Sequence, residues 1–378
     1  MKKRIKIVVR SLFFGGIKLH WEEYETKILK KNNEIAKYTE DEINELLKYA
    51  KKLYVNQMPV IYDINHLSKM VGVINSEIIK IINSKSKFYY REYPILKKSG
   101  GEREIKAPLP TLDIIQKWIF NKILSNLEPS VFCKSYQKGL TIKDNAKFHR
   151  RQKIILKMDI TDFFNEVSFE QVNNIFIDLG YTFQVSKVLT DLVMYSKNGK
   201  LRKGLPQGAS TSPMLSNLIL KKFDEKIGKQ CIEQKIRYTR YADDLTFSGD
   251  FDPKVMEKKI RRELLRYGFE INNKKTKILR KSDRQIVTGI VVNDKMQAPR
   301  KKRKNLRLEI YFLLNQTTTH FQRKGLNSQK KQEEYFKIIL GKVNFILQVN
   351  PLDKEFKKYK KDIYRLMTSL YKDTELDF

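Results

Sequence analysis

Two adjacent carboxylates, Asp243 and Asp244, lie inside Ile236-Arg-Tyr-Thr-Arg-Tyr-Ala-Asp-Asp-Leu-Thr-Phe-Ser-Gly249, between short runs rich in Tyr, Thr, Ile and Phe. That pattern predicts a β-hairpin with acid at its tip. Successive strand residues face opposite ways, so the two acids converge on one point only if the turn re-aims one of them. A metal site accounts for such an arrangement, and a third carboxylate, Asp159, ends the apolar run Ile154-Ile-Leu-Lys-Met-Asp159. Three carboxylates on neighbouring strands would hold two divalent cations about 3.5–4 Å apart, which is the arrangement for in-line phosphoryl displacement. Hard oxygen ligands of this kind suit Mg²⁺. An Asp-Asp pair alone is more often an ordinary polar turn, so its surroundings must decide.

Those surroundings are specific. Met158-Asp159-Ile160-Thr161-Asp162-Phe163-Phe164, Leu205-Pro206-Gln207-Gly208-Ala209-Ser210-Thr211-Ser212-Pro213 and Tyr241-Ala242-Asp243-Asp244, in that order and spacing, resemble the palm of reverse transcriptases. Asn145-Ala146-x-x-His149 and Val287-Thr288-Gly289 resemble two independent markers of the retron type. The resemblance runs from about residue 60 to the end of the chain and is strongest from Asn145 to Gly289. It implies RNA-templated DNA synthesis, with Asp159, Asp243 and Asp244 as the catalytic, metal-holding residues, two Mg²⁺ ions, and the Ile160 carbonyl as a further oxygen ligand.

The resemblance also implies contacts to a deoxynucleoside triphosphate. Lys97 and Arg103 would meet the triphosphate from a fingers hairpin, with Lys98 matching the position of Lys97 equally well. Phe164 would lie under the sugar and exclude a 2′-hydroxyl, core packing being the competing reading for Phe163 and Phe164. Gln207 would touch the incoming nucleotide, and Lys275 would protonate the leaving pyrophosphate, a simply solvated lysine being the competing reading. Asp162 reads as a helix cap, and His149 as a satisfied helix histidine that marks the family and takes no part in catalysis.

The implied partners are a cognate structured non-coding RNA serving as template and primer, its DNA product, and a separate effector protein in defence against phage. Synthesis would start from an internal guanosine 2′-hydroxyl and leave a branched, RNA-linked DNA. Two alternatives stand beside this: a reverse transcriptase of another bacterial type, which would lack the branched product, and a catalytically silent RNA-binding protein.

Composition agrees with a polyanion as partner. The 378 residues carry 76 Lys+Arg against 43 Asp+Glu, a formal net charge of +33. Cations spread so widely favour nucleic acid over a membrane, and no run of about 18 apolar residues occurs. Cys133 and Cys231 stand far apart without a Cys-x-x-Cys pair, which argues against a zinc site or disulfide framework and for a reducing compartment. Lys6 and Arg10 interrupt the apolar stretch from Ile5 to Ile17, so it does not read as a signal peptide, and the expected location is the cytoplasm.

The elements that must position these residues read as α+β, a right-hand polymerase with an antiparallel sheet plus helices and a C-terminal helical thumb. The expected divisions are a helical extension over 1–58, fingers and palm over 59–298, and the thumb over 299–378. Thr39-Glu40-Asp41-Glu42 is a capping box for a first helix, and Ile64 to Ile82 reads as a second amphipathic helix. A basic hairpin turns at Ser99-Gly100-Gly101, and Leu112 to Leu127 reads as a buried helix. Ser212-Pro213 opens another helix, with the Ser212 hydroxyl as its cap. Three amphipathic, basic helices follow Pro299 and suit clamping a duplex through its phosphates.

Overall fold

Strong β-formers around Asp159 and around the Asp243-Asp244 pair build the sheet that carries the candidate chemistry. The computed structural model describes residues 20–35, 39–96, 100–195 and 204–371. The strands are β1 (Tyr90–Leu96), β2 (Glu102–Pro108), β3 (Ile154–Asp159), β4 (Arg237–Tyr241), β5 (Asp244–Gly249), β6 (Lys277–Arg280), β7 (Ile286–Val287) and β8 (Ile290–Val291). They form a four-stranded sheet in the order β4-β5-β3-β6, and β1-β2 and β7-β8 form separate hairpins. All pairings are antiparallel, and the rest is predominantly helical, which is the expected α+β class.

Register decides what each sheet face carries, because directly paired residues share a face and alternate residues change it. Asp159 pairs with Asp244, Lys157 with Thr246, and Ile155 with Ser248, while Asp244 also pairs with Tyr241 and Thr246 with Thr239. These residues make up one face. The opposite face carries Leu156, Met158, Leu245 and Phe247, all wholly buried. The half of the first face far from Asp159 is also covered: Ile155 packs in a small core with Ala146, Val287, Ile290, Val292 and Val349. At the carboxylate end of that face Asp159 is buried, while Tyr241 and Asp244 stay half-buried.

The chain forms two compact units. One comprises Met1–Tyr136, Ile160–Lys226 and Arg261–Ile271, and the other Gln137–Asp159, Ile227–Ile260 and Asn272–Phe378. Within the second, the helices Arg300–Asn315, Thr317–Arg323, Gln329–Val349 and Lys354–Leu370 enclose their own core around Leu306, Ile310, Phe336, Ile339 and Phe356. Among the described residues no helix is long and apolar enough to cross a membrane.

Several expected boundaries shift for local reasons. The Thr39 capping box forms and opens a helix over Glu40–Val55. The stretch from Ile64 to Ile82 is two helices, Ile64–Val71 and Asn75–Asn83, because Gly72 takes a left-handed conformation (φ 78°) and ends the first. The helix expected to reach Leu127 stops at Lys122, and a short 3₁₀ turn follows. Four helices, including the short Thr317–Arg323, stand where three were expected after Pro299.

Ser212 does not cap its helix. Thr211 occupies the cap position without a side-chain bond, and the Ser212 hydroxyl donates to the Pro206 carbonyl at 2.8 Å, tying the Leu205–Gly208 loop back onto the helix. Asp162 does hold a cap position, at the head of Phe163–Glu166, but its backbone is left-handed (φ 42°) and its side chain makes no capping bond.

Candidate active site

The β4–β5 connection is a two-residue turn, Ala242-Asp243, closed by the Tyr241–Asp244 pair. Such a turn needs a positive φ at its first central residue, a position glycine usually fills; here Ala242 adopts φ 55°. A side chain in that conformation is strained, so something must hold it. Arg240, wholly buried, donates from Nη1 to the Ala242 carbonyl at 3.0 Å and braces the turn from beneath. Thus the turn does re-aim one acid: Asp244 belongs to the strand face of Asp159, and Asp243 projects from the loop.

Asp243 and Asp244 respond to their surroundings. Burial, then the charges of Asp159 and Asp244, push the Asp243 carboxyl up to about 6. Burial is also the main cause that raises Asp244, with the Lys157 ammonium opposing it and Asp159 adding to the rise. Lys275 supplies the compensating cation. Its Nζ donates to Asp159 Oδ1 at 2.7 Å. Burial lowers the Lys275 pKa, but the Asp159 hydrogen bond and the nearby carboxylates outweigh it, so the net shift is upward. A short 3₁₀ turn, Asn273–Lys275, sets this lysine in place: the Asn272 N–H donates to the Asp159 carbonyl at 2.8 Å, and the Asn272 side chain accepts from the Lys274 N–H at 3.0 Å.

Lys157 is a cation that motif reading passed over. Its signal was available in the strand period, since it stands two residues before Asp159 and therefore on the same face. Arg240 was also missed, and no local pattern marks it, because an arginine in a strand ordinarily reads as solvated.

Among the described residues, no three His, Cys, Asp or Glu side chains already form a metal-holding group. The donors nevertheless fit a hard divalent cation. They are all carboxylate oxygens, and the burial and neighbouring negative charge that raise Asp243 disfavour its ionised form, a cost that such an ion relieves.

The other expected residues lie in the first unit. Phe163 is 2% exposed, a core residue, whereas Phe164 is half-buried. The Phe164 carbonyl accepts from the Leu205 N–H at 2.7 Å, and the Gln207 carbonyl accepts from the Lys106 N–H, also at 2.7 Å. Gly208 (φ 124°) is needed there: a Cβ would come within 3.0 Å of the Ile105 side chain and 3.1 Å of the Lys106 carbonyl. The structure therefore brings Phe164, Gln207 and strand β2 around one loop. Arg103 is exposed on β2 opposite Ile95, and Lys97 and Lys98 lie outside the described residues. Lys106, also unforeseen, sits 4.1 Å over the Tyr195 ring and 3.3 Å from Glu104.

Beyond the end of β3 opposite Asp159 lies a cleft of about 620 Å³, lined by Arg151, Arg284, Lys295, Arg300, Arg303 and Arg307 among others. Asp353 neutralises Arg303 at 2.7 Å, and Glu355 neutralises Arg307. Arg284, Lys295 and Arg300 have no ion pair among the described residues. Five strand steps of about 3.3 Å put roughly 17 Å between the two ends of β3.

Residues 95–336 match the family described as Reverse transcriptase (RNA-dependent DNA polymerase). The Retron Ec86 reverse transcriptase of Escherichia coli is 34% identical over 264 residues, covering 68% of this chain and 79% of that protein. The Retron Mx65 reverse transcriptase of Myxococcus xanthus is 34% identical over 239 residues, covering 59% of this chain but only 56% of its own length. Among solved structures, telomerase from Candida albicans with the TWJ fragment of telomeric RNA superposes with a TM-score of 0.45 at 11% identity, over 78% of this chain and 64% of that one. A foamy viral protease-reverse transcriptase with double-stranded DNA gives a TM-score of 0.43 at 17% identity, over 94% and 57%. With the family profile spanning most of the chain and the Ec86 enzyme aligned over two thirds of it, this protein belongs to the reverse transcriptase family, and within it to the retron type.

Proposed function

We propose that the chain is an RNA-directed DNA polymerase whose catalytic residues are Asp159, Asp243 and Asp244. One observation carries this reading: Asp159 and Asp244 are register partners at one end of a sheet face, with Asp243 held beside them by a braced, strained turn. Stacking three carboxylates against one another destabilises a fold, and such an arrangement is retained where it serves a cation. The three carboxylates would hold two Mg²⁺ ions; when bound, these supply positive charge that lowers the primer hydroxyl's pKa and neutralises the triphosphate.

The chain's own residues do the rest. The primer oxygen forms a bond to the α-phosphorus of the deoxynucleoside triphosphate as the bond to pyrophosphate breaks. Lys275, already charged and held at the carboxylates, delivers its proton to the leaving pyrophosphate oxygen. The family resemblance assigns Gln207 to contact with the incoming nucleotide, Phe164 to exclusion of the 2′-hydroxyl, and Arg103 with Lys97 or Lys98 to the triphosphate. In this assignment residues 59–298 are fingers and palm and 299–378 the thumb. The basic cleft and the +33 charge suit the phosphates of a structured RNA, the cognate template.

The retron type extends the reading: initiation from an internal guanosine 2′-hydroxyl, a branched RNA-linked DNA, and a role in antiphage defence with a separate effector. Two buried thiols without a disulfide fit work in the reducing cytoplasm.

The test is to purify the protein from cells carrying its native flanking DNA, extract the bound nucleic acid and treat it with debranching enzyme. A discrete small DNA that shifts on debranching supports the reading. Heterogeneous DNA without a branch points to another reverse transcriptase type. An Asp243→Ala protein that still extends a primer defeats the catalytic assignment.

A further inference from the structure

The two stretches that mark the retron type, Asn145 to His149 and Val287 to Gly289, are far apart in sequence and meet in one hydrogen-bond chain, buried at His149, Thr239, Ser248 and Asn145 and half-buried at Thr288. His149, wholly buried in the turn after the helix Ile142–Lys147, lies with Nδ1 2.7 Å from the Ser248 hydroxyl and Nε2 2.7 Å from the Thr239 hydroxyl. Thr239 donates to Asn145 Oδ1 at 2.6 Å, Asn145 Nδ2 donates to the Thr288 hydroxyl at 3.4 Å, and Thr288 donates to the Ile142 carbonyl at 3.1 Å.

Proton counting gives the chain one direction. Thr288 spends its hydrogen on Ile142 and so accepts from Asn145. Thr239 spends its hydrogen on Asn145 and so accepts from His149 Nε2. His149 therefore carries its proton on Nε2, and Nδ1 accepts from Ser248. Burial lowers the His149 pKa to about 3, so the ring stays neutral and the direction does not reverse at working pH. Every link is satisfied, the condition under which a buried polar network rigidifies its surroundings.

What the chain joins matters more than its length. Thr239 and Ser248 flank the acidic turn on β4 and β5, on the same sheet face as Asp159 and Asp244; Thr239 is two ladder steps from Asp244. The Arg237 guanidinium adds a second tie, donating to the Phe148 carbonyl at 2.8 Å. At the far end, Thr288 and Gly289 form the β7–β8 turn with φ 44° and 81°. A β-branched residue at positive φ is a true outlier, at a place where Asn or Gly would sit without strain. The threonine is explained by its hydroxyl, which both donates and accepts in the chain.

We propose that Asn145, His149 and Thr288 are positioning residues for the polymerase site: through Thr239 and Ser248 they fix the acidic β4–β5 hairpin and the Thr288-Gly289 turn as one body. This rests on the polymerase reading above. A shift of either hairpin then displaces carboxylates from the reacting atoms, and displacement of about 1 Å lowers turnover by up to roughly a hundredfold.

Thr288→Val keeps shape and strain but removes the hydroxyl, Thr288→Ser keeps the hydroxyl, and Asn145→Leu cuts the chain one link away. Extension of a DNA primer on a homopolymer RNA template, with kcat and KM for the nucleotide measured beside the melting temperature, separates positioning from folding. Thr288→Val and Asn145→Leu should each lower kcat at least about tenfold with little change in nucleotide KM, the double variant should be no worse than either, and Thr288→Ser should stay within about threefold of the parent. Equal kcat for the valine and serine variants, or losses that simply follow the folded fraction, would overturn the role.

If the valine variant does not fold, the ¹⁵N spectrum of the unaltered protein decides. His149 should show a neutral ring protonated on Nε2 and unchanged from about pH 5 to 8, whereas an Nδ1–H ring or titration in that range refutes the directed chain. An unaltered protein that extends no primer overturns the polymerase reading and this role with it.

Discussion

Replacing Asp243 with Asn should stabilise the metal-free protein while abolishing polymerisation. In the fold, burial and two neighbouring carboxylates raise Asp243 from 3.8 to about 6. The sign follows from linkage: a carboxyl with a raised folded pKa weakens the fold as pH rises from the unfolded value through the folded one, and below both values it contributes nothing. A shift of about two pK units corresponds to about 3 kcal/mol at neutral pH; the group keeps some solvent contact, so about 1–3 kcal/mol is the working range. Asparagine keeps the shape and cannot ionise. Thermal melting in a chelator at about pH 8 should therefore put Asp243→Asn some 2–6 °C above the parent, with the gap closing towards about pH 4.5. Millimolar Mg²⁺ should stabilise the parent more than the variant, since bound ligand stabilises only the state that binds it. A variant no more stable than its parent at about pH 8, or a gap independent of pH, would refute the claim that burial and neighbouring charge hold Asp243 above its ordinary value.

Three further outcomes follow from the same geometry. Arg284→Glu or Arg300→Glu, in the cleft remote from Asp159, should weaken RNA binding without base preference and flatten the salt dependence by about one unit of log–log slope per lost phosphate contact; an unchanged slope removes the cleft from the RNA footprint. Phe164→Ala should raise incorporation of ribonucleotides relative to deoxynucleotides in competition assays, and an unchanged ratio would leave Phe164 as packing alone. Phe336→Ala, in the centre of the C-terminal helical core and wholly buried, should lower stability by about 3–5 kcal/mol in denaturant titration, whereas a loss below about 1 kcal/mol would show that this core is loosely packed.

Much of the site was legible because its signals are local. An acid pair between two β-rich runs reads as a hairpin tip, of which the structure puts Asp243 in the turn and Asp244 at the head of β5, and period-two alternation assigns Asp159 to the face of Lys157. The Thr39 capping box was readable because its reciprocal bonds span only three residues. Where two local signals compete, the residue types alone did not say which one wins. The Ser212 hydroxyl is taken by the Pro206 carbonyl and so cannot cap, and Gly72 divides a pattern whose apolar spacing alone continues through it.

The amino-acid order by itself carried the family resemblance, the α+β class, the three acidic candidates and the strongly basic charge, since each depends on residue type and short spacing. Tertiary structure alone decided the pairing of Asp159 with Asp244, the seating of Lys275 on Asp159, the bracing of a strained Ala242 by buried Arg240, and the meeting of Asn145, His149 and Thr288. All but the Arg240 brace join segments far apart in sequence, up to 143 positions for Asn145 and Thr288, and that brace depends on the burial of Arg240. Strand register and the burial of a polar side chain are settled by what the whole fold places opposite it, a quantity no short window of sequence contains.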